Sequence, residues 1–360
     1  MAYRSIVPFG PQHPVLPEPI HLDLVLEDEK VVEAIPSIGF IHRGLEKLVE
    51  RRDFQDYVFI AERICGICSF QHGSGYCQAV EEIMKVEVPD RAKFLRTIWG
   101  EMSRIHSHLL WLGLLADGFG FESLFMQCWK LREYVLDLFE MTTGGRVIFS
   151  VCAVGGVRKD ISAEDLRTIV RVLEELKEGV KSFEHVFFSD LTVCNRLCGV
   201  GVLTKEEAYE CAAGGPVLRG SGIDRDMRRI VGYAAYDQLD IEPIVETDGD
   251  CYARCIVRLR EIYQSVDLIR QAVSKIPEGD IFTKVSGTPN GECFSRVEQP
   301  RGEAVYYVRA NGSKYLDRFR VRTPTFANIP ALLKILQGCD LADVPMMVLT
   351  IDPCISCTER

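Results

Sequence analysis

Arg63-Ile64-Cys65-Gly66-Ile67-Cys68-Ser69-Phe70-Gln71-His72 lies in the first quarter of the chain, and Asp352-Pro353-Cys354-Ile355-Ser356-Cys357-Thr358-Glu359-Arg360 closes it. Each stretch holds two cysteines three positions apart, a spacing that sets both thiols on one side of a turn and lets the pair grip one metal centre. Two such pairs supply four thiolates, and by spacing alone four thiolates mean structural zinc or an iron–sulfur cluster. Zinc ribbons, however, usually keep both pairs close together in sequence, whereas these stand near opposite ends. A site closed by the last residues is poorly placed to nucleate folding and suits a cofactor inserted late.

The chain has 360 residues, 47% apolar and 26% charged, which is enough to bury a core and too apolar for a disordered tail. Its 42 basic and 52 acidic residues leave a net charge of −10. The basic residues are scattered, not striped, so no nucleic-acid partner is expected. No stretch is long and apolar enough to suggest a membrane span, and the opening MAYRSIVPFGPQHP lacks the features of a signal peptide. A soluble or peripheral intracellular protein is expected. In a reducing compartment its 14 cysteines are not a disulfide framework. Cys194/Cys198 and Cys251/Cys255 form a second tier, four apart, that reads as core ahead of metal. Cys77, Cys128, Cys152, Cys211, Cys293 and Cys339 read as small buried hydrophobes.

Alternation from Ile20 to Ile35 around Glu27–Lys30 predicts a β-hairpin, preceded by an extended loop at Pro8, Pro11, Pro14, Pro17 and Pro19. Helical periodicity runs from about Gly44 through the first cysteine pair to Met84, and a second long helix opens at Pro89-Asp90. Further helices are predicted at about 122–142, 162–187, 204–212 and 250–275. Ala304–Val308 and Lys314–Val321 flank Asn311-Gly312, a type I′ hairpin signal. The expected fold is mainly α (α+β). It is one domain over 1–360, divided into a loop and hairpin (1–40), a helical body (41–300), a β-hairpin (301–325) and a C-terminal metal-binding segment (326–360).

The first stretch resembles the R-x-C-G-x-C-x-x-x-H motif of nickel–iron hydrogenase large subunits, and the second their D-P-C-x-x-C-x-x-H/R. Gly10-Pro11-Gln12-His13-Pro14, His42-Arg43-Gly44-Leu45-Glu46-Lys47, Gly215-Pro216-Val217-Leu218-Arg219-Gly220-Ser221-Gly222 and Gly249-Asp250-Cys251-Tyr252 are also similar to the quinone-site 49 kDa subunit of complex I. That subunit shares the fold and lacks the metal cysteines. Together these features resemble the membrane-bound, energy-converting hydrogenases, of the Ech type or the type associated with carbon monoxide dehydrogenase. The resemblance implies a helical bundle with small β-hairpins near the N-terminus and around 304–322. In the family a C-terminal extension is often removed three residues past the last cysteine, and this chain ends there, at Arg360.

By resemblance, Cys65 and Cys354 bind nickel terminally while Cys68 and Cys357 bridge nickel and iron. The iron carries one carbonyl and two cyanides. Hydrogen is split heterolytically, with Cys354 as first base. Arg301, in Gln299-Pro300-Arg301-Gly302, resembles the arginine held over the open metal position, and Pro300 lines the cofactor beside it. Glu18, in Leu16-Pro17-Glu18-Pro19, falls where the family keeps the carboxylate that relays the proton from the thiolate. His72 matches a histidine that hydrogen-bonds the bridging thiolates. Glu46 matches a carboxylate that helps hold magnesium near a terminal histidine, but this chain has Arg360, which can pair with Glu46 instead. Some relatives have an aspartate in the stretch occupied by His106-Ser107-His108, and Ser107, lacking the charge, is given no role. The implied partners are a small subunit carrying a 4Fe–4S cluster, a ferredoxin-like donor chain and integral membrane subunits, on the cytoplasmic face of the membrane. The implied activity is ferredoxin-linked, reversible proton reduction coupled to ion translocation. The competing functions are a complex I-like quinone-reducing subunit and a zinc-stabilised structural subunit.

Overall fold

The computed structural model describes residues 4–14, 16 and 18–360; Pro17 of the expected proline loop lies outside them. Three antiparallel strands open the fold: β1 (Arg4–Phe9), β2 (His21–Glu27) and β3 (Lys30–Ser37). β2 and β3 are the expected hairpin, turning at Asp28 with φ +55°. β1 is an addition. It contains Pro8, which an edge strand tolerates because one side of its ladder is unpaired.

The body is built from α1 (Ser69–Met84), α2 (Asp90–Gly118), α3 (Glu122–Thr143), α4 (Ala163–Ser189) and α5 (Cys251–Lys275). Local chemistry sets several starts. Asp90 places a carboxylate in the first turn of α2, Ser162 caps α4 by accepting from the Asp165 amide, and Asp250 caps α5 by accepting from Ala253. α2 packs against α3 and α5, and α4 covers the same pair. Helices, 3-10 segments included, make up 52% of the described residues, so the mainly α expectation holds. No helix among the described residues is long and apolar enough to cross a membrane.

The second sheet is larger than expected. β4 (Asn290–Gln299), β5 (Gly302–Asn311) and β6 (Leu316–Arg322) form an antiparallel meander whose first strand packs on α1. β4 falls within residues expected to be helical body. The β5–β6 connection is also longer than a two-residue type I′ turn: Gly312 has φ +83°, and the strand resumes at Leu316. The chain ends in α6 (Pro324–Leu336), α7 (Val344–Thr350) and α8 (Ile355–Glu359).

The expected continuous helix from Gly44 to Met84 is broken. A 3-10 segment (Leu45–Arg51) and a short helix (Tyr57–Glu62) precede an irregular stretch that holds Cys65 and Cys68, and only then does α1 begin. The break has a chemical reason. It frees the amides of Ile67 and Cys68 to point at the Cys65 sulfur, at 3.2 and 3.4 Å, whereas a helix would spend them on main-chain carbonyls.

Candidate metal centre

The cysteines of the two ends meet. Cys65 Sγ lies 3.3 Å from Cys354 Sγ, and Cys68 Sγ 3.3 Å from Cys357 Sγ. All four are free thiols and at most 2% exposed. The sulfurs of Cys65, Cys68 and Cys357 lie within 4.8 Å of one another, the one metal-competent group of three or more such side chains among the described residues. These separations are too long for disulfides and short enough for thiolates to share a centre. Hydrogen bonds from Cys354, Cys357 and Cys68 hold the Cys65 thiol well below its ordinary range, while its partners are pushed up. A bound soft metal would let all four lose their protons together. The donor set fits a soft metal centre held by these four residues.

Several contacts lock the two ends together. Arg43 donates to the carbonyls of Arg63 and Ile64 on one side and of Ser356 on the other, at 2.9, 2.8 and 3.1 Å. The Glu359 carboxylate accepts from the amides of Gly39 and Ile41, behind β3. The Cys354 amide donates to Thr325 Oγ1 at 3.1 Å, and Thr323 Oγ1 donates to the Cys357 carbonyl at 3.0 Å.

His72 stands at 3.4 Å from the Cys357 sulfur through Nε2. Tyr306 accepts from Gln299 Nε2 at 3.0 Å, and its hydroxyl lies 2.9 Å from His72 Nδ1 and 3.4 Å from the Gln71 carbonyl. A hydroxyl proton given to Nδ1 leaves the Nε2–H for the sulfur. Burial pushes the His72 imidazole down to about 4, so the ring is neutral at pH 7.

Arg301 sits in the β4–β5 turn after the buried Pro300 and is 2% exposed. Its Nε–H donates to the Asp352 carbonyl at 2.9 Å, its NH2 meets Asp352 Oδ1 at 2.7 Å, and its NH1 donates to Ser107 Oγ at 3.3 Å. Burial alone would weaken its hold on the proton, but Asp352 and the nearby thiols of Cys354, Cys68 and Cys65 outweigh it. Ser107, to which no role was given, thus touches this arginine. Asp352 and Arg43, to which the sequence motifs attach no role, are structural members of the site.

Glu18 reaches the same end of the chain. Its Oε2 accepts from the amides of Ile355 and Ser356, and its Oε1 from Ser356 Oγ at 2.7 Å. It therefore anchors the first turn of α8, next to Cys354. Glu46 is held differently from the magnesium expectation. Its Oε1 accepts from Arg360 Nε and the Val321 amide, both at 2.9 Å, and its Oε2 from Arg320 at 2.9 Å. Burial would raise this carboxyl, but those three donors bring it below the usual carboxylate range. Two guanidiniums crowd the carboxylate, so the donor set does not fit a cation, and the alternative Arg360 pair is the one formed.

The second-tier cysteines stay apart from this centre. Cys251 and Cys255 are buried in α5, with Cys251 donating to Thr350 Oγ1 at 3.6 Å, while Cys194 is half-buried and Cys198 exposed. Of the isolated six, Cys77, Cys128 and Cys152 are fully buried; Cys211, Cys293 and Cys339 are partly so. His13 stacks on Phe9 with ring centroids 4.2 Å apart.

A helical body that closes four buried thiols between the two ends of one chain defines a protein of the hydrogenase large-subunit fold. Residues 118–287 and 280–360 match the family described as the respiratory-chain NADH dehydrogenase 49 kDa subunit, and residues 43–116 match that described as nickel-dependent hydrogenase. The chain is 40% identical to the membrane-bound hydrogenase subunit alpha of Pyrococcus furiosus over 99% of its length and 88% of the relative's. It is 39% identical to a component of the F(420)H(2) dehydrogenase of Methanosarcina mazei, over 99% and 98%. A chain from the structure of the membrane-bound sulfane sulfur reductase, an archaeal respiratory membrane complex, superposes with TM-score 0.94 at 34% identity, covering 100% of this chain and 98% of that one. The protein belongs to the family that joins the complex I 49 kDa subunit with the large subunits of membrane-bound hydrogenases.

Proposed function

We propose that this chain is the catalytic subunit of a membrane-bound hydrogenase, reducing protons to H2 reversibly at a nickel–iron centre held by Cys65, Cys68, Cys354 and Cys357. The observation that carries the reading is the closure of four free, buried thiols by both ends of the chain. Cys65, Cys68, Cys354 and Cys357 are the residues that would hold the centre. Bound there, a nickel–iron centre would supply heterolytic cleavage of hydrogen.

The chain's own residues have three tasks. Arg301, permanently charged and fixed against Asp352, presents a positive fork beside the thiolates and stabilises developing negative charge. Glu18, bonded to the first turn of α8 next to Cys354, takes the proton released at that sulfur. His72 donates to Cys357 Sγ, moderating its charge. The four cysteines are buried, with Ile67 packed against them, which keeps water from the sulfurs.

Electrons come from reduced ferredoxin through a small subunit carrying a 4Fe–4S cluster, because no second buried group of three or more metal-competent side chains occurs among the described residues. The subunit lies peripherally on the cytoplasmic face of the membrane, and integral partners couple its turnover to ion translocation. The membrane-bound hydrogenase and sulfane sulfur reductase relatives support that setting. The 49 kDa match supports a second reading, a subunit reducing another acceptor such as a quinone, but that chemistry has no use for four converging thiols. Hydrogen evolution by the purified complex with reduced ferredoxin, abolished by Cys65→Ser and by Cys354→Ser with the fold intact, is the expected result. Undiminished evolution in either variant overturns the assignment, since a hydroxyl binds a soft metal poorly.

A further inference from the structure

The Gly215–Gly222 stretch has no atom among the metal-binding thiols, yet it lies directly under the turn that bears Arg301. Gly215 has φ +65°, and a Cβ there would stand 2.3 Å from the Arg301 carbonyl oxygen and 2.4 Å from Gly302 Cα. A Cβ on Gly302, at φ +132°, would stand 2.6 Å from the Gly215 nitrogen. Two backbones approach this closely only where neither carries a side chain.

Four residues on, Arg219 is wholly buried. It donates to Glu298 Oε1 at 2.8 Å, to Glu261 Oε1 at 2.6 Å and to the Arg225 carbonyl at 3.1 Å. Glu298 is the penultimate residue of β4, three residues before Arg301. Its Oε2 accepts from the Met227 amide at 3.1 Å, its amide donates to Tyr233 Oη at 3.1 Å, and its carbonyl accepts from Arg104 at 2.8 Å. Arg104 also donates to the Gln299 carbonyl at 3.3 Å. Side chain and main chain of residues 298–299 are therefore pinned from separate directions just before Pro300.

We propose that Gly215 and Arg219 aim Arg301: Gly215 is the floor of the turn, and Arg219, acting through Glu298, is a positioning residue that fixes where the Arg301 guanidinium meets Asp352 beside the sulfurs. A functional fork must be held to within about half an ångström, and displacement by about 1 Å costs on the order of a hundredfold in rate. The fork of Arg219 spans Glu261 and Glu298 together. A lysine keeps the buried charge and reaches only one of them.

The kinetic arm of the test rests on the hydrogenase reading, and the exchange arm does not. Arg219→Lys is placed in the assembled complex, alone and with Arg301→Lys. The expected result is roughly a tenfold to hundredfold loss of hydrogen turnover in the wild-type background, unchanged metal content, and less than about a threefold further loss in the Arg301→Lys background. Amide exchange at residues 299–303 quickens at least about tenfold while α2 and α5 stay protected. Equal fold-losses in both backgrounds, or unchanged exchange at the turn, overturn the proposal. If Arg219→Lys does not assemble, Glu298→Gln, which keeps an acceptor toward Arg219, is read the same way. A wild-type complex without hydrogen activity would defeat the functional reading alone, and the exchange result would then decide the positioning role.

Discussion

Arg301 holds Asp352 twice, once by the main-chain carbonyl at 2.9 Å and once by the carboxylate at 2.7 Å. Asp352 has φ +55°, and its amide donates to the Leu349 carbonyl at 2.8 Å. The grip ties the β4–β5 turn to the segment that delivers Cys354. Arg301→Lys provides a charge without a planar fork and cannot make both bonds in that geometry. We expect turnover to fall by about 10²–10³-fold with nickel and iron retained, measured by hydrogen evolution and elemental analysis on the same sample. Normal turnover makes Arg301 a turn residue only.

Glu18 bonds the Ser356 amide and hydroxyl at 2.8 and 2.7 Å, so it has a structural task whether or not it carries protons. Glu18→Gln keeps an acceptor for those donors and removes ionisation. Relay by a carboxylate is worth roughly 10²–10⁴ in rate. Steady-state hydrogen production and H2/D+ exchange should therefore fall together, with the metal content unchanged, and Glu18→Asp should recover part of the loss. Equal exchange rates in wild type and Glu18→Gln would remove Glu18 from the proton path.

Much of this site was legible because cysteine spacing survives as spacing, whatever lies between the pairs. The hydrophobic period likewise showed α2 to α5. What it concealed are buried polar faces. β4 buries Ser295, Glu298 and Gln299 alongside Val297, so it lacks the apolar alternation that marks a strand. α2 buries Arg96, Glu101, Arg104, His106, Ser107 and His108 as well as its apolar face, and these read as solvent positions until partners distant in sequence, such as Glu81, Glu261 and Arg301, are in place. Ser107 and Arg219 were invisible as site neighbours for that reason. Their signal is a long-range contact, which a single sequence carries only through motifs.

Glu46 is bound by Arg360, Arg320 and the Val321 amide. Its carboxyl lies below the ordinary value near 4.5, so its contribution to stability is fully present above that pH and is lost as pH falls through the lowered value. Glu46→Gln should cost about 1–3 kcal/mol at pH 7 and progressively less as the solution is acidified. Magnesium or a chelator should leave the unfolding midpoint of wild type unchanged. A magnesium-dependent midpoint abolished by Glu46→Gln would restore the third metal.

Glu62 is wholly buried three residues before Cys65. Burial pushes it up to about 7, and Ser150 and Arg63 oppose this only in part. The folded value exceeds the unfolded one near 4.5, so the stabilising proton is fully in place below the unfolded value and stability is lost as pH rises through about 7. Thermal unfolding of Glu62→Gln against wild type should show the variant gaining roughly 2–3 kcal/mol of relative stability between about pH 5 and 8. Parallel profiles would mean that Glu62 stays ionised in the fold.

The central claim is that Cys65, Cys68, Cys354 and Cys357 hold nickel and iron together. Elemental analysis and infrared spectroscopy of the anaerobically purified complex test it in one preparation. The account expects nickel and iron in equal amounts in this subunit, with intense carbonyl and cyanide stretching bands that vanish in Cys68→Ser. Zinc as the only metal, or a subunit free of metal and without those bands, would contradict it.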